Sequence, residues 1–282
     1  DKRFDLKSFK ALGGAFAVYK IANEKKNITV STATAGNHGR SVAWGAQRLG
    51  LKCKIFISEF VSESRAEAMR NLDAEVIRVK GNYDNSLKEC IEQSNKNKWE
   101  IVQDVSWEGY KEVPKLIMAG YTIMVKEIID EIDNNSITHV FLQAGVGGMA
   151  AAMIAGFAKL SKNIPQFIII EPENADCVFQ SIKKNTLTTV DIKKETVMGG
   201  MSCGDVSSIA WEILKNSANY CLTIPDEAIS TVVALLAESR LSDEKVIGGE
   251  CAVPGVIALI GTFKNKEYLD KLKLNAESNV LL

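Results

Sequence analysis

The sequence carries almost no net charge: 34 lysines and arginines against 35 aspartates and glutamates leave −1 at pH 7. A surface so balanced gives no field to attract a phosphate backbone, so a nucleic acid partner has no electrostatic case. No apolar run reaches the length of a membrane span, and no secretory leader is visible. The chain has 6 cysteines but no CxxC, and with only 2 histidines it has no cysteine–histidine cluster at metal spacing, which argues against a zinc site. A reduced, cytoplasmic enzyme is the expectation. The chain begins at Asp1 without a methionine and stops in SNVLL, an apolar run that reads as a strand barely begun, so both ends read as cut.

Apolar residues are plentiful: they make up 46% of 282 residues, enough for the cores of two domains. Short β-rich runs recur as ITVSTA (28–33), CKIFIS (53–58), AEVIRV (74–79), WEIVQD (99–104), HVFLQAG (139–145), QFIIIEP (166–172) and YCLTIP (220–225). Between them lie segments with helical spacing, such as 37–49 with Val42, Ala43, Ala46 and Leu49 on one face, and 107–131 with Leu116, Ile117, Tyr121 and Met124. Strand alternating with helix means crossover units, hence an α/β fold of mainly parallel sheets flanked by helices. The polar stretch IDEIDNNSIT (129–138) marks a boundary between two α/β domains, 1–132 and 133–282.

Parallel sheets bind ligands beyond the carboxyl ends of their strands, so the strand tips carry the functional signal. AGVGGMAAAM (144–153) follows a strand and opens a helix. Gly145, Val146, Gly147, Gly148 and Met149 form either a backbone cradle for a single phosphate or an ordinary tight turn, and the spacing is not that of a dinucleotide site. STATAGNHGR (31–40) places Thr34, Asn37 and His38 at another tip, with Gly36 and Gly39 freeing the backbone. Asn37 either bonds a ligand oxygen or starts the next helix as its cap, and His38 reads as structural. Asp104 ends a strand among apolar neighbours. It is either a carboxylate tuned for proton transfer or a cap for a helix starting near Trp107. Lys10, in SFKALGG, is either a surface lysine or a nucleophilic amine.

SFKALGGAFA, TATAGNHGR, VQDVSWEGY, QAGVGGMAAA, EPENADC and MGGMSCGDVSSIAWEIL occur in this order. Together they resemble the diaminopropionate ammonia-lyases, pyridoxal-phosphate enzymes of the threonine dehydratase and tryptophan synthase β fold. The resemblance implies that fold, pyridoxal 5'-phosphate as cofactor, a small amino-acid substrate, amino-acid degradation by α,β-elimination, and a homodimer. Lys10 matches the lysine that forms the imine with the cofactor. Asn37 matches the asparagine beside its phenolic oxygen, and Gly145 to Met149 match the phosphate loop. Thr34, Ala35, Gly36 and His38 lie in the loop that receives the substrate carboxylate, and Asp104 matches an aspartate assigned to proton transfer. Cys177 and Cys203 lie in two of these segments and are either two buried thiols or close enough to form a disulfide under oxidising conditions.

The chain departs from the pattern in places. The family loop reads TDGNHG, whereas Ala35 stands here in place of the aspartate, as in serine and threonine dehydratases. GGECAVPG (248–255) differs from the family's SGESGAVG at Cys251 and Pro254, differences without an interpretation. The distance from Lys10 to the asparagine loop is short, as if a loop were missing, and the segment reaching the pyridine nitrogen is expected beyond Leu282. A serine or threonine dehydratase, and a weakly catalytic relative that senses cofactor or amino acid, are the rival readings. With Asp104 as the remaining carboxylate, the chain is expected to prefer one isomer of 2,3-diaminopropionate, and Ala35→Asp to raise activity on the other. Pyruvate formation from each pure isomer checks this; equal rates in the unaltered protein would show that another group fills the role.

Overall fold

The computed structural model describes residues 3–34, 36–132 and 136–282, and the chain divides into two compact units, Asp1–Ile123 and Met124–Leu282. The division falls after the first residue of the helix Ile123–Glu131 rather than beyond its end. That helix goes with the second unit because Val125, fully buried, fills the space that Gly156 leaves by lacking a β-carbon. Residues 133–135 of the polar stretch, and Ala35, lie outside the described residues.

The first unit holds four parallel strands, β1 (Thr29–Ala33), β2 (Lys52–Ser58), β3 (Ala74–Val79) and β4 (Glu100–Ile101), in the order β3-β2-β1-β4. Among its described residues are the α-helices α1 (Lys10–Glu24), α2 (Asn37–Arg48), α3 (Glu63–Arg70), α4 (Tyr83–Asn97) and α5 (Glu112–Tyr121). Val30, Ala33, Ile55, Phe56 and Ile57 are buried on successive positions, as expected of parallel strands covered on both faces.

β4 is shorter than the run WEIVQD suggested, so Asp104 is not a strand residue. After Ile101 the side chain of Gln103 takes over the ladder: its Oε1 accepts from the Ala33 N–H at 3.0 Å, and its Nε2 donates to the Ala33 carbonyl at 2.9 Å. Nor does a helix start at Trp107. The segment folds back through a Trp107–Tyr110 bridge with the two rings stacked at 4.1 Å, and α5 begins at Glu112.

The second unit begins with α6 (Ile123–Glu131, from its second residue) and repeats the plan. Its parallel strands β5 (His139–Gln143), β6 (Gln166–Pro172), β7 (Tyr220–Ile224) and β8 (Val280–Leu281) lie in the order β7-β6-β5-β8. Around them pack α7 (Gly148–Leu160), α8 (Cys177–Lys184), α9 (Ser208–Ser217), α10 (Ile229–Ala237), α11 (Pro254–Phe263) and α12 (Lys266–Leu272). Among the described residues no helix is long and apolar enough to cross a membrane.

α1 lies against α2 and α5 almost backbone to backbone. A β-carbon on Gly120 would stand 2.1 Å from the Leu12 carbonyl oxygen and 2.9 Å from Gly13 Cα, and one on Gly14 would overlap Ser41. Neither backbone can yield, so Gly120→Ala is expected to destabilise the fold by about 1–3 kcal/mol. The urea midpoint measures it, and an unchanged midpoint would mean that the helices separate at no cost.

Candidate active site

Lys10 is the first residue of α1, and Asp104 sits in the turn after β4. Their side chains meet: Lys10 Nζ lies 2.5 Å from Asp104 Oδ2, both groups half-buried. The turn that carries Asp104 is fixed from two sides. Tyr110 donates its hydroxyl proton to the Ile101 carbonyl at 2.8 Å and accepts from the Gln103 N–H at 2.9 Å. On the other side His38, near the start of α2, bonds through Nε2 to the Val102 carbonyl at 2.8 Å. Its Nδ1 lies 3.7 Å from the same Asp104 Oδ2 and has no hydrogen bond.

Phe9 and Tyr121 wall the lysine, with ring centres 5.7 and 5.9 Å from Nζ. The Tyr121 ring fits only because residue 13 is glycine: a β-carbon there would lie 2.4 Å from the ring. The Tyr121 hydroxyl is buried without a hydrogen bond, and burial pushes its pKa far up.

Burial alone would raise the pKa of Asp104, but the charges of His38 and Lys10 and the lysine hydrogen bond outweigh it and hold the carboxyl well below its ordinary range. His38 moves down: burial dominates and Lys10 adds to it, against the pull of Asp104 and of the Val102 bond. A ring kept neutral near pH 7 leaves Lys10 as the charge that keeps Asp104 ionised.

The asparagine loop is braced from within. Thr34 Oγ1 accepts from the N–H of Gly36 at 3.1 Å and of Gly39 at 3.3 Å, so those two donors are already used. Asn37 is the first residue of α2, not its cap; Gly36 holds the cap position. The Asn37 carboxamide oxygen accepts only a long 3.4 Å contact from Arg40 among the hydrogen bonds described.

In the second unit, the loop 144–149 runs from β5 into α7. Gly147 has φ +85°, and a β-carbon on it would lie 2.7 Å from Leu214. One on Gly145 would lie 3.0 Å from Cys203 Sγ and 3.1 Å from the Gly200 carbonyl. Ser207 N–H donates to the Val146 carbonyl at 2.9 Å. No side chain caps α7, so Gly148 and Met149 stand at a helix start with N–H groups aimed along its axis. Cys177 lies 3.7 Å from the Gly145 carbonyl and Cys203 where a β-carbon on Gly145 would stand, and no disulfide joins them in this structure.

Three residues of this arrangement escaped the sequence reading. Tyr121 was one position in an apolar stripe, and Gln103 was part of a strand. Glu171, at the end of β6, is fully buried and accepts the N–H groups of Val178 and Phe179 at 2.9 and 2.7 Å, capping α8. A carboxylate closing a run of buried apolar residues was the available signal.

A family profile for pyridoxal-phosphate dependent enzymes matches residues 4–273. The chain belongs to that family. Diaminopropionate ammonia-lyase of Escherichia coli is 33% identical over an alignment of 305 residues that covers 100% of this chain and 77% of the relative. The Salmonella typhimurium protein of the same name is 33% identical over 314 residues, covering 99% of this chain and 77% of the relative. A crystal structure of the Escherichia coli enzyme, in complex with an aminoacrylate-PLP azomethine reaction intermediate, superimposes with a TM-score of 0.90 at 34% identity, over 99% of this chain and 76% of that one. A tomato threonine deaminase, TM-score 0.81 at 20% identity, shares the fold.

The residues present fit the family's cofactor. The phosphate of pyridoxal 5'-phosphate needs backbone N–H groups that nothing screens, and residues 145 and 147 admit no β-carbon. Its carbonyl carbon needs an amine, and Lys10 is an amine beside a carboxylate that would fit that need.

Burial pushes the Glu171 carboxyl up to about 8, against the two N–H bonds it accepts. The folded chain therefore keeps a proton there that the unfolded chain, at 4.5, releases, so stability falls as pH rises from about 4.5 to 8. Glu171→Gln is expected to flatten this decline whatever its overall offset. Urea midpoints of both proteins across that range measure it, and parallel curves would show that Glu171 does not titrate there.

Proposed function

We propose that this enzyme catalyses the pyridoxal-phosphate-dependent α,β-elimination of 2,3-diaminopropionate to pyruvate and ammonia. The contact of Lys10 with Asp104, 94 residues apart in sequence, carries the reading. Bound cofactor supplies an electron sink that weakens the bond from Cα to its hydrogen. Lys10 is the residue that attaches it, Asn37 the partner of its phenolic oxygen, and the backbone of Gly145, Val146, Gly147, Gly148 and Met149 the holder of its phosphate.

Lys10, once displaced by the substrate amine, and Asp104 are the two groups able to move protons. One takes the Cα hydrogen and the other delivers a proton to the leaving β-nitrogen. Asp104, a carboxylate held ionised, accepts a proton at Oδ2, and only after taking one up can it deliver a proton. Thr34 acts on the substrate carboxylate through the loop it braces, with Gly36 and His38 on the same loop. A homodimer belongs to this reading on the strength of family resemblance, and a cytoplasmic location on the cysteine usage of the sequence. A second reading, dehydration of serine or threonine, is favoured by Ala35.

Lys10→Ala is expected to abolish both the visible absorption band of cofactor-loaded protein and pyruvate formation, with the circular dichroism unchanged. Pyruvate from 2,3-diaminopropionate in excess of that from serine or threonine distinguishes the first reading from the second. Normal turnover in the variant would end both.

A further inference from the structure

His38 keeps one nitrogen without a partner. Its Nε2 bonds to the Val102 carbonyl, which can only accept, so Nε2 carries the ring hydrogen and Nδ1 of the neutral ring has only a lone pair. Nδ1 is buried, makes no hydrogen bond, and lies 3.7 Å from Asp104 Oδ2. Two acceptors set against each other out of water are unfavourable until one proton stands between them. The same oxygen, Oδ2, touches Lys10 Nζ at 2.5 Å. One carboxylate oxygen thus has a proton donor on one side and a vacant acceptor on the other.

We propose that His38 is the proton acceptor through which Lys10 becomes a neutral amine, with Asp104 Oδ2 as the atom that passes the proton along. This rests on the reading of Lys10 as the attachment residue, which must be neutral to attack a carbonyl carbon. The N–H bond of the lysine ammonium breaks, Oδ2 takes that proton, and Oδ2 delivers it to Nδ1. Ammonium, carboxylate and neutral imidazole become amine, carboxylate and imidazolium. The net charge of the half-buried cluster is unchanged, and the step needs no base from solvent. The Nδ1–Oδ2 gap closes by about 0.9 Å, to the length of a charge-assisted hydrogen bond.

The charges acting on His38 come from Asp104, in the turn after β4, and from Lys10, at the start of α1. Tyr121 of α5 acts on that pair as a neutral phenol. While Lys10 is charged, it opposes protonation of the ring. Once Lys10 gives up its proton that opposition ends and the pull of Asp104 remains.

The chain has only 2 histidines, so ring nitrogen-15 NMR of cofactor-free protein resolves His38, assigned by its loss in His38→Gln. In the unaltered protein the ring is expected as the neutral Nε2–H tautomer near pH 7. Lys10→Met should raise its protonation midpoint by about one pH unit or more, and Asp104→Asn should lower it. Uptake of pyridoxal 5'-phosphate by His38→Gln, followed by absorbance, should be about 10²-fold slower near pH 7 and recover at alkaline pH, where solvent base frees the amine. One shared midpoint in all three proteins, an Nδ1–H tautomer, or unaltered uptake by His38→Gln would overturn the proposal. Failure of the attachment reading is seen separately, as a cofactor band that survives Lys10→Met.

Discussion

In the first unit the helices α1, α2 and α5 come closer than side chains normally allow. Typical helix pairs stand 8–10 Å apart because β-carbons and what they carry hold them there. Here Gly14 and Gly45 face α2 and α1, and Gly13 and Gly120 bring α1 and α5 together; a β-carbon at any of them would lie within 3 Å of a neighbour. Each glycine in a helix interior costs about 1 kcal/mol relative to alanine. The return is placement. Ser41 of α2 donates to the Lys10 carbonyl at 2.7 Å and accepts from the Ala15 N–H at 3.1 Å, so the first turn of α1 is held from the side. Tyr121 slides under it. A long, flexible lysine is thereby given a fixed root and an aromatic wall.

The second unit solves a related problem for backbone N–H groups, which must stay open at the front while the loop is held from behind. Val146 is held by Ser207, and Gly145 has the Cys177 thiol at its carbonyl and the Cys203 thiol where a β-carbon would stand. The Cys177 thiol resists ionisation at neutral pH: burial and then the Glu171 carboxyl push it far up. Cys221, likewise raised by burial and by Glu171, lies 3.7 Å from that carboxyl on the β7 side. The neighbourhood is one of suppressed negative charge, which favours an anion in front of the loop.

The strands were legible because parallel strands buried on both faces must be apolar along their whole length, and six of the seven runs lie close to observed strands. β4 was misjudged because Gln103 imitates a strand residue with its side chain while its backbone bonds to Tyr110, a substitution that composition does not reveal. Asp104 was found from its neighbours, although the reason given, a strand end, was not the one the structure supplies. The Asn37 cap was a fair expectation of an asparagine before an apolar run, but the helix starts one residue earlier than that reading needed. Tyr121 was invisible in role because it depends on Gly13, far away in sequence, which admits its ring; Glu171 was missed although the amides it serves, Val178 and Phe179, follow only 7 and 8 residues on.

The charge state of the lysine cluster follows from its few members. Lys10, Asp104 and His38 sum to zero with the ring neutral, and the nearby phenols of Tyr121 and Tyr110, both pushed up by burial, are neutral as well. A cluster largely withdrawn from water holds such a balance more firmly than any one of its members holds its charge, because a lone buried charge costs several kcal/mol. A proton can therefore be relocated within the set much more readily than removed from it. Ala35 offers no second carboxylate, so the proton bookkeeping of the first unit converges on one oxygen, Asp104 Oδ2, which the lysine and the imidazole approach together.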